Sequence, residues 1–112
     1  MAAAKVVNAT LFKNRYNGLK FTIDGVENLI GWTARYTLSA FRGGSALIDK
    51  STADDISFDG VDVFVDIWPA NTSAISQGTN FYQELTLIDN ESNPRVAAYG
   101  DSCVVRDVTN IS

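Results

Sequence analysis

Between positions 61 and 68 the chain alternates without a fault. Val61, Val63, Val65 and Ile67 fall on one side, and Asp62, Phe64, Asp66 and Trp68 on the other. A period of two sends successive side chains to opposite faces of a strand, whereas a helix would throw these four aliphatic residues to opposite sides of its axis. A second patterned segment follows, in which Phe81, Leu85 and Leu87 share a face with Gln83 as its one polar interruption. Pro69, which removes a backbone donor, closes the first segment. Asn71, Thr72, Ser73, Ala74 and Ile75 then predict one helical turn over the end of the fold, with Ile75 pointing inward and Gly78 ending it. Two strands joined in this way are expected at the middle of an all-β sandwich.

The remainder reads as further strands. Lys5 through Phe12 has strand propensity and predicts one continuous first strand, ended by a polar turn over 13–18. Leu19, Phe21 and Ile23 alternate up to the turn dipeptide Asp24-Gly25. Ile30, Trp32, Ala34, Tyr36, Leu38 and Ala40 form the longest apolar face of the chain, which fixes its register because a one-residue slip would expose the whole set. Ala46, Leu47 and Ile48 predict a brief strand before an acidic loop over 49–55. Asp59-Gly60 predicts a type I′ hairpin pairing 56–58 with 61–63. A polar hairpin loop is expected at 89–94, and a last hairpin turning at Gly100-Asp101 should join 95–99 to 102–108. The count is about seven to eight short strands with no long helix, and alternation alone does not separate a sandwich from a small barrel.

With 112 residues there is enough chain for one core, so the expected organisation is an N-terminal arm at 1–5, a β domain at 6–109 and a short tail at 110–112. A net charge of −4 and nine scattered basic residues disfavour a nucleic-acid surface, whose affinity comes largely from Lys and Arg neutralising phosphates. No apolar run approaches the roughly 20 residues that span a bilayer, and the first residues lack the apolar core of a secretory signal, so no membrane partner is expected. The single Cys103, beside Val104 and Val105, reads as a buried inert thiol.

The chain has no histidine, which removes the commonest general base and zinc ligand. Asp62 and Asp66, four apart on one strand, stand roughly 13 Å apart by strand rise, beyond the separation of about 5–9.5 Å used by glycosidases. No phosphate-cradling glycine motif occurs. A non-enzymatic protein without cofactor or metal is therefore expected. Asp49, Asp54, Asp55 and Asp59, or Asp89 and Glu91, offer oxygen ligands for calcium, but without the spacing of an EF-hand, and they read as solvated loops.

From 61 to 110 the chain resembles the N-terminal immunoglobulin-like domain of tailed-bacteriophage baseplate upper proteins and its stand-alone relatives among phage virion proteins. The resemblance is carried by Val61-Asp62-Val63-Phe64-Val65, by Pro69-Ala70-Asn71-Thr72-Ser73-Ala74-Ile75, by Gly78-Thr79-Asn80-Phe81-Tyr82-Gln83-Glu84-Leu85 and by Tyr99-Gly100-Asp101-Ser102-Cys103-Val104-Val105 followed by Asp107-Val108-Thr109. Two departures stand out: Asn71 takes the place of a usual Asp, and Asn80 is an extra residue before the aromatic pair.

The resemblance implies an immunoglobulin-like antiparallel β-sandwich in a single domain, assembled in a host cytoplasm into the virion. A small capsid decoration or cement protein, or an adaptor, is the expected role, with a tail or baseplate component as the alternative. Its partners would be other virion proteins or further copies of the chain. Contact is expected through the arm, Ala2, Ala3, Ala4, Lys5, Val6 and Val7, and through Phe64 and Trp68, whose face is too apolar to lie wholly in water. A carbohydrate-binding module using Trp32, Trp68, Tyr82 or Tyr99 as a stacking platform is the alternative from another class.

Overall fold

A computed structural model describes residues 4–106. Nine strands and one helical turn follow the chain: β1 (Lys5–Val6), β2 (Thr10–Phe12), β3 (Asn17–Thr22), β4 (Thr33–Ser39), β5 (Ala46–Ser51), β6 (Ile56–Asp59), β7 (Asp62–Ile67), α1 (Pro69–Thr72), β8 (Gly78–Ile88) and β9 (Pro94–Arg106). They form two sheets. Sheet A runs β1-β9-β8-β4-β5, with β2 also on β9, and sheet B runs β3-β7-β6. The inward faces of both sheets meet in one apolar cluster that includes Phe21, Ile56, Val63, Val65 and Ile67 from sheet B and Tyr36, Leu38, Leu85, Leu87, Cys103 and Val105 from sheet A. Phe21 and Tyr36 touch across the layer with ring centroids 6.2 Å apart. The protein is thus all-β and sandwich-like.

The alternation is realised from Asp62 to Ile67, while Val61 falls in the preceding turn: Val63, Val65 and Ile67 are fully buried, with β7 as the central strand of sheet B. Leu85 and Leu87 are buried as expected, but on β8 in the opposite sheet, so the connector with α1 crosses from one layer to the other. Its helical turn starts at Pro69, earlier than expected. Ile75 does point inward, and Gly78 opens β8 instead of closing the helix.

Several boundaries differ from the sequence reading for identifiable reasons. In the β6–β7 hairpin Asp59 pairs with Asp62, which leaves Gly60 and Val61 as the loop. Gly60 has φ +64° and Val61 is not among the positive-φ residues, the pattern of a II′ turn with glycine first, not of type I′. β5 continues through Asp49, Lys50 and Ser51, because its polar residues pair in register with Arg35, Tyr36 and Thr37 of β4. Ile30 and Ala40 lie outside β4 and are exposed, since the strand starts only at Thr33 and ends at Ser39; Trp32 is half-buried against the core.

The C-terminal half-hairpin expected at Gly100-Asp101 does not form. One strand, β9, runs from Pro94 to Arg106 straight through both residues. The reason lies at the N-terminus. The first segment is broken into β1 and β2, both parallel to β9, and between them Val7 and Asn8 pass over Gly100. A methyl group on Gly100 would overlap the Val7 carbonyl oxygen and Asn8 Oδ1. Glycine is needed there for close approach of two backbones, not for a turn. Lys5 belongs to β1 and so is not part of a free arm; Met1, Ala2, Ala3 and the tail from Asp107 onward lie outside the described residues.

The β8–β9 register slips between Gly78 and Phe81, and slips back between Phe81 and Gln83. The first slip contains Asn80 at φ +65°, a left-handed conformation that Asn adopts more readily than most residues. The extra residue noted in the sequence is therefore a β-bulge.

Candidate contact surface

The outward face of sheet B is built from alternate residues of three short strands: Gly18, Lys20 and Thr22 of β3, Asp62, Phe64 and Asp66 of β7, and Ser57 and Asp59 of β6. Phe64 sits at its centre, half-buried, opposite Lys20 on one side and Ser57 on the other. Asp62 accepts the Thr22 hydroxyl at 2.7 Å and has the Lys20 ammonium at 3.8 Å. These contacts span β3 and β7 and lie in solvent, where such pairs contribute little individually.

At the end of this face stands Trp68, 44% exposed, beside Tyr16, 53% exposed. Their ring centroids lie 5.0 Å apart with planes tilted by 44°. Each ring is held at its polar tip. The Trp68 indole N–H donates to Asp55 Oδ1 at 2.9 Å, and the Tyr16 hydroxyl donates to Asp66 Oδ1 at 2.6 Å. That hydrogen bond to Asp66 raises the Tyr16 pKa, which keeps the phenol a neutral donor. Tyr16 lies across Gly18, where any Cβ would press on its ring.

Behind Trp68 the support continues into the core. Asp55 Oδ2 accepts from the Lys50 ammonium at 2.7 Å, and Lys50 is only 4% exposed. The Asp55 pKa is lowered first by this bond and then by the Trp68 N–H. The Trp68 backbone N–H donates to Asn71 Oδ1 at 2.7 Å, while the Asn71 N–H donates to the Trp68 carbonyl at 2.9 Å. An amide oxygen thus caps the turn. Backbone and side chain of Trp68 are both held by hydrogen bonds within the chain.

The structure distributes the expected contact residues over two places. Phe64 and Trp68 share the outward side of sheet B. Lys5 and Val6 are exposed on β1 at the edge of sheet A, Val7 packs against the core, Ala4 is half-buried, and Ala2 and Ala3 lie outside the described residues. Tyr16 escaped the sequence reading because nothing local marks a tyrosine in a polar turn; its partner Trp68 is brought to it by the pairing of β3 with β7.

Among the acidic residues offered for calcium, Asp49, Asp55 and Asp89 are engaged by basic side chains. Asp49 takes Arg35 in a two-pronged pair at 2.9 and 2.7 Å, and its pKa is lowered by that bond. Asp89 accepts the backbone N–H groups of Glu91 and Asn93 at 2.9 Å each and pairs with Arg95 at 3.2 Å. Those backbone bonds lower its pKa and close the β8–β9 loop. No group of three or more potential metal ligands gathers among the described residues.

The four rings offered as a sugar platform do not share a face. Trp32 packs on the core, and Tyr82 and Tyr99 lie beneath Arg42 on sheet A, which leaves Trp68 alone of the four exposed. Fold and surface together define an all-β module with an exposed, hydrogen-bonded aromatic pair at one end of sheet B. No protein-family model matches the chain, and no curated protein matches it in sequence.

Proposed function

We propose that this chain is a non-enzymatic structural component of a tailed-bacteriophage virion: an immunoglobulin-like module that decorates or cements the capsid or joins virion proteins as an adaptor. A tail or baseplate position is the alternative. The reading rests on the resemblance over 61–110 and is supported by strand order. Sheet A carries β9-β8-β4-β5 and sheet B β3-β7-β6, with hairpins at β4–β5, β6–β7 and β8–β9 and crossovers between them. An immunoglobulin sandwich of the variable type orders its GFC sheet, extended by C′, and its BED strands in the same way.

The observation that carries the docking role is the Tyr16–Trp68 pair. Exposed Trp and Tyr side chains that are already immobile lose little conformational entropy on association, and they dominate the energetics of protein interfaces. The partners are other virion proteins or further copies of the chain.

The test is compositional. Mass spectrometry of purified particles should find the chain, and particles produced with Trp68→Ala should lose it while the isolated variant remains folded. Absence of the chain from virions, together with unchanged composition and stability of particles made without it, would overturn the reading. Binding on a glycan array with no incorporation into particles would replace it with the carbohydrate-binding alternative.

A further inference from the structure

The outward face of sheet B is open to solvent at Gly18, Lys20, Thr22, Ser57 and Asp59, and its charge is lopsided. On the strands Asp59, Asp62 and Asp66 face outward against Lys20 alone. The loops at the Trp68 end do not restore the balance. They add Asp55 with its partner Lys50, and one further charge of each sign in Asp54 and Arg15, so that five carboxylates stand against three cations. Asp59 and Asp62 are also direct cross-strand partners, a placement in which like charges repel. Lys20 approaches Asp62 only to 3.8 Å, and among the described residues no basic side chain pairs with Asp59 or Asp66.

The aromatic pair stands at the Asp66 end of this face. Asp66 Oδ1 accepts the Tyr16 hydroxyl at 2.6 Å, and the Tyr16 ring centroid is 5.0 Å from that of Trp68, so the carboxylate lies one ring away from the indole. Indole faces are the strongest aromatic partners for a cation. A guanidinium in particular stacks flat on the ring and keeps its in-plane N–H donors for a carboxylate. Trp68 and Asp66 offer these two contacts side by side.

From this we infer that the outward face of sheet B docks a basic patch of another protein, with one arginine stacked on Trp68 and forked onto Asp66, and a second arginine over Asp59 and Asp62. The inference rests on the reading of Trp68 as a docking point and adds the chemistry of what docks there. Charge complementarity selects the occupant. A second copy of the chain is a poor one, because it carries a net charge of −4 and its Arg35 is already held by both oxygens of Asp49. The strand sets the spacing: Asp62 and Asp66 are four residues apart on β7, roughly 13 Å by strand rise, which is also the span of an extended peptide with cations four residues apart.

The experiment is an NMR titration of the ¹⁵N-labelled full chain. The probe is an N-acetylated, C-amidated pentapeptide of sequence Arg-Gly-Ser-Gly-Arg. Peptides with both arginines replaced by citrulline, which has the same shape without the charge, or by lysine serve as separate arms. The arginine peptide should shift the Trp68 indole N–H and the amides of Gly18, Asp59, Asp62 and Asp66 while the Trp32 indole stays in place. The citrulline peptide should bind at least tenfold more weakly and the lysine peptide at least threefold more weakly. Asp66→Asn keeps an acceptor for Tyr16 and should weaken the arginine peptide at least threefold, with the remainder of its spectrum unchanged as proof of folding. Equal binding of the arginine and citrulline peptides, a lysine peptide as strong as the arginine one, or no shift at these residues at millimolar peptide would each overturn the proposal. Incorporation into particles that depends on Trp68, without any preference for arginine, would retain the docking role and reject this partner chemistry; arginine binding by a chain absent from particles would do the reverse.

Discussion

The Gln83 side-chain amide donates to the carbonyl of Val7, 76 residues earlier, at 2.8 Å, and accepts the buried Tyr36 hydroxyl at 2.8 Å with its oxygen. The one polar interruption on the inward face of β8 is therefore the tie between the N-terminal segment and the core. Gln83 is 1% exposed and both ends of its amide are satisfied. Burial pushes the Tyr36 phenol pKa far above its usual value, so Tyr36 acts as a neutral donor throughout the working range.

Gln83→Leu should consequently destabilise the fold by about 2–4 kcal/mol, because it strands a buried hydroxyl and a part-buried carbonyl at once. Urea unfolding measures this. Hydrogen exchange adds the location: amide protection should fall first in β1 and β2, while β7 keeps its protection. Uniform loss across both sheets would show that the tie is not local to the N-terminal segment.

Gly100→Ala should act on the same seam through sterics. The added methyl meets backbone at Val7, which does not yield as a flexible side chain does. We expect β1 to detach from β9, with exchange of the Val7 and Tyr99 region rising to that of an open edge, and a loss of stability of about 2–4 kcal/mol. Gly78→Ala is the comparison, because its φ is not positive and the added methyl would meet only the Phe81 side chain.

These two residues also mark what local reading can and cannot reach. The alternation at 61–67 is legible because one buried face is a repeated local fact, and the acidic loop at 89–94 because Asp and Asn satisfy neighbouring backbone groups. Gly100-Asp101 looks like a turn for the same local reasons. Its glycine answers instead to a segment at the other end of the chain, which no window around position 100 contains. Tyr16 is hidden likewise: its role depends on Trp68 and Asp66, set beside it only when β3 and β7 pair. Asn80 was visible as an extra residue, but its meaning as a bulge needed the β8–β9 register.

Acid should expose the support beneath Trp68. Asp55 has a folded-state pKa below its unfolded value, so its stabilisation is whole above the unfolded carboxylate pKa of about 3.9 and is lost as pH falls through the lower folded value. Asp49 and Asp89 are lowered as well and add to the same limb. Asp55→Asn should lower the thermal midpoint at neutral pH, because the buried Lys50 ammonium loses its counter-charge, and should make the midpoint fall less steeply below about pH 4. Calorimetry between pH 2 and 7 reads both; an unchanged acid slope would mean that Asp55 carries no share of it.

Cys103 should be silent in the native protein. It is fully buried on β9, and burial raises its thiol pKa, so almost no thiolate is exposed at neutral pH. Reaction with a small disulfide reagent should be at least about a hundredfold slower in buffer than in 6 M guanidinium, tracking opening of the fold. Rapid labelling without denaturant would contradict the burial of Cys103 in the core between the two sheets.

Trp68→Ala separates stability from contact. The indole is 44% exposed and its loss removes one hydrogen bond to Asp55 and one ring contact to Tyr16, so a cost of about 1–2 kcal/mol in stability is expected. Its loss at a docked interface should be larger, because a central aromatic anchor typically contributes about 2–4 kcal/mol, a factor of roughly 30 to 1000 in affinity. Tyr16→Phe sharpens the distinction: it keeps the ring beside Trp68 but gives up the bond to Asp66, so it should retain most binding if ring surface is what the partner reads. A Tyr16→Phe defect as deep as that of Trp68→Ala would instead assign the contact to the Asp66 carboxylate that Tyr16 holds in place.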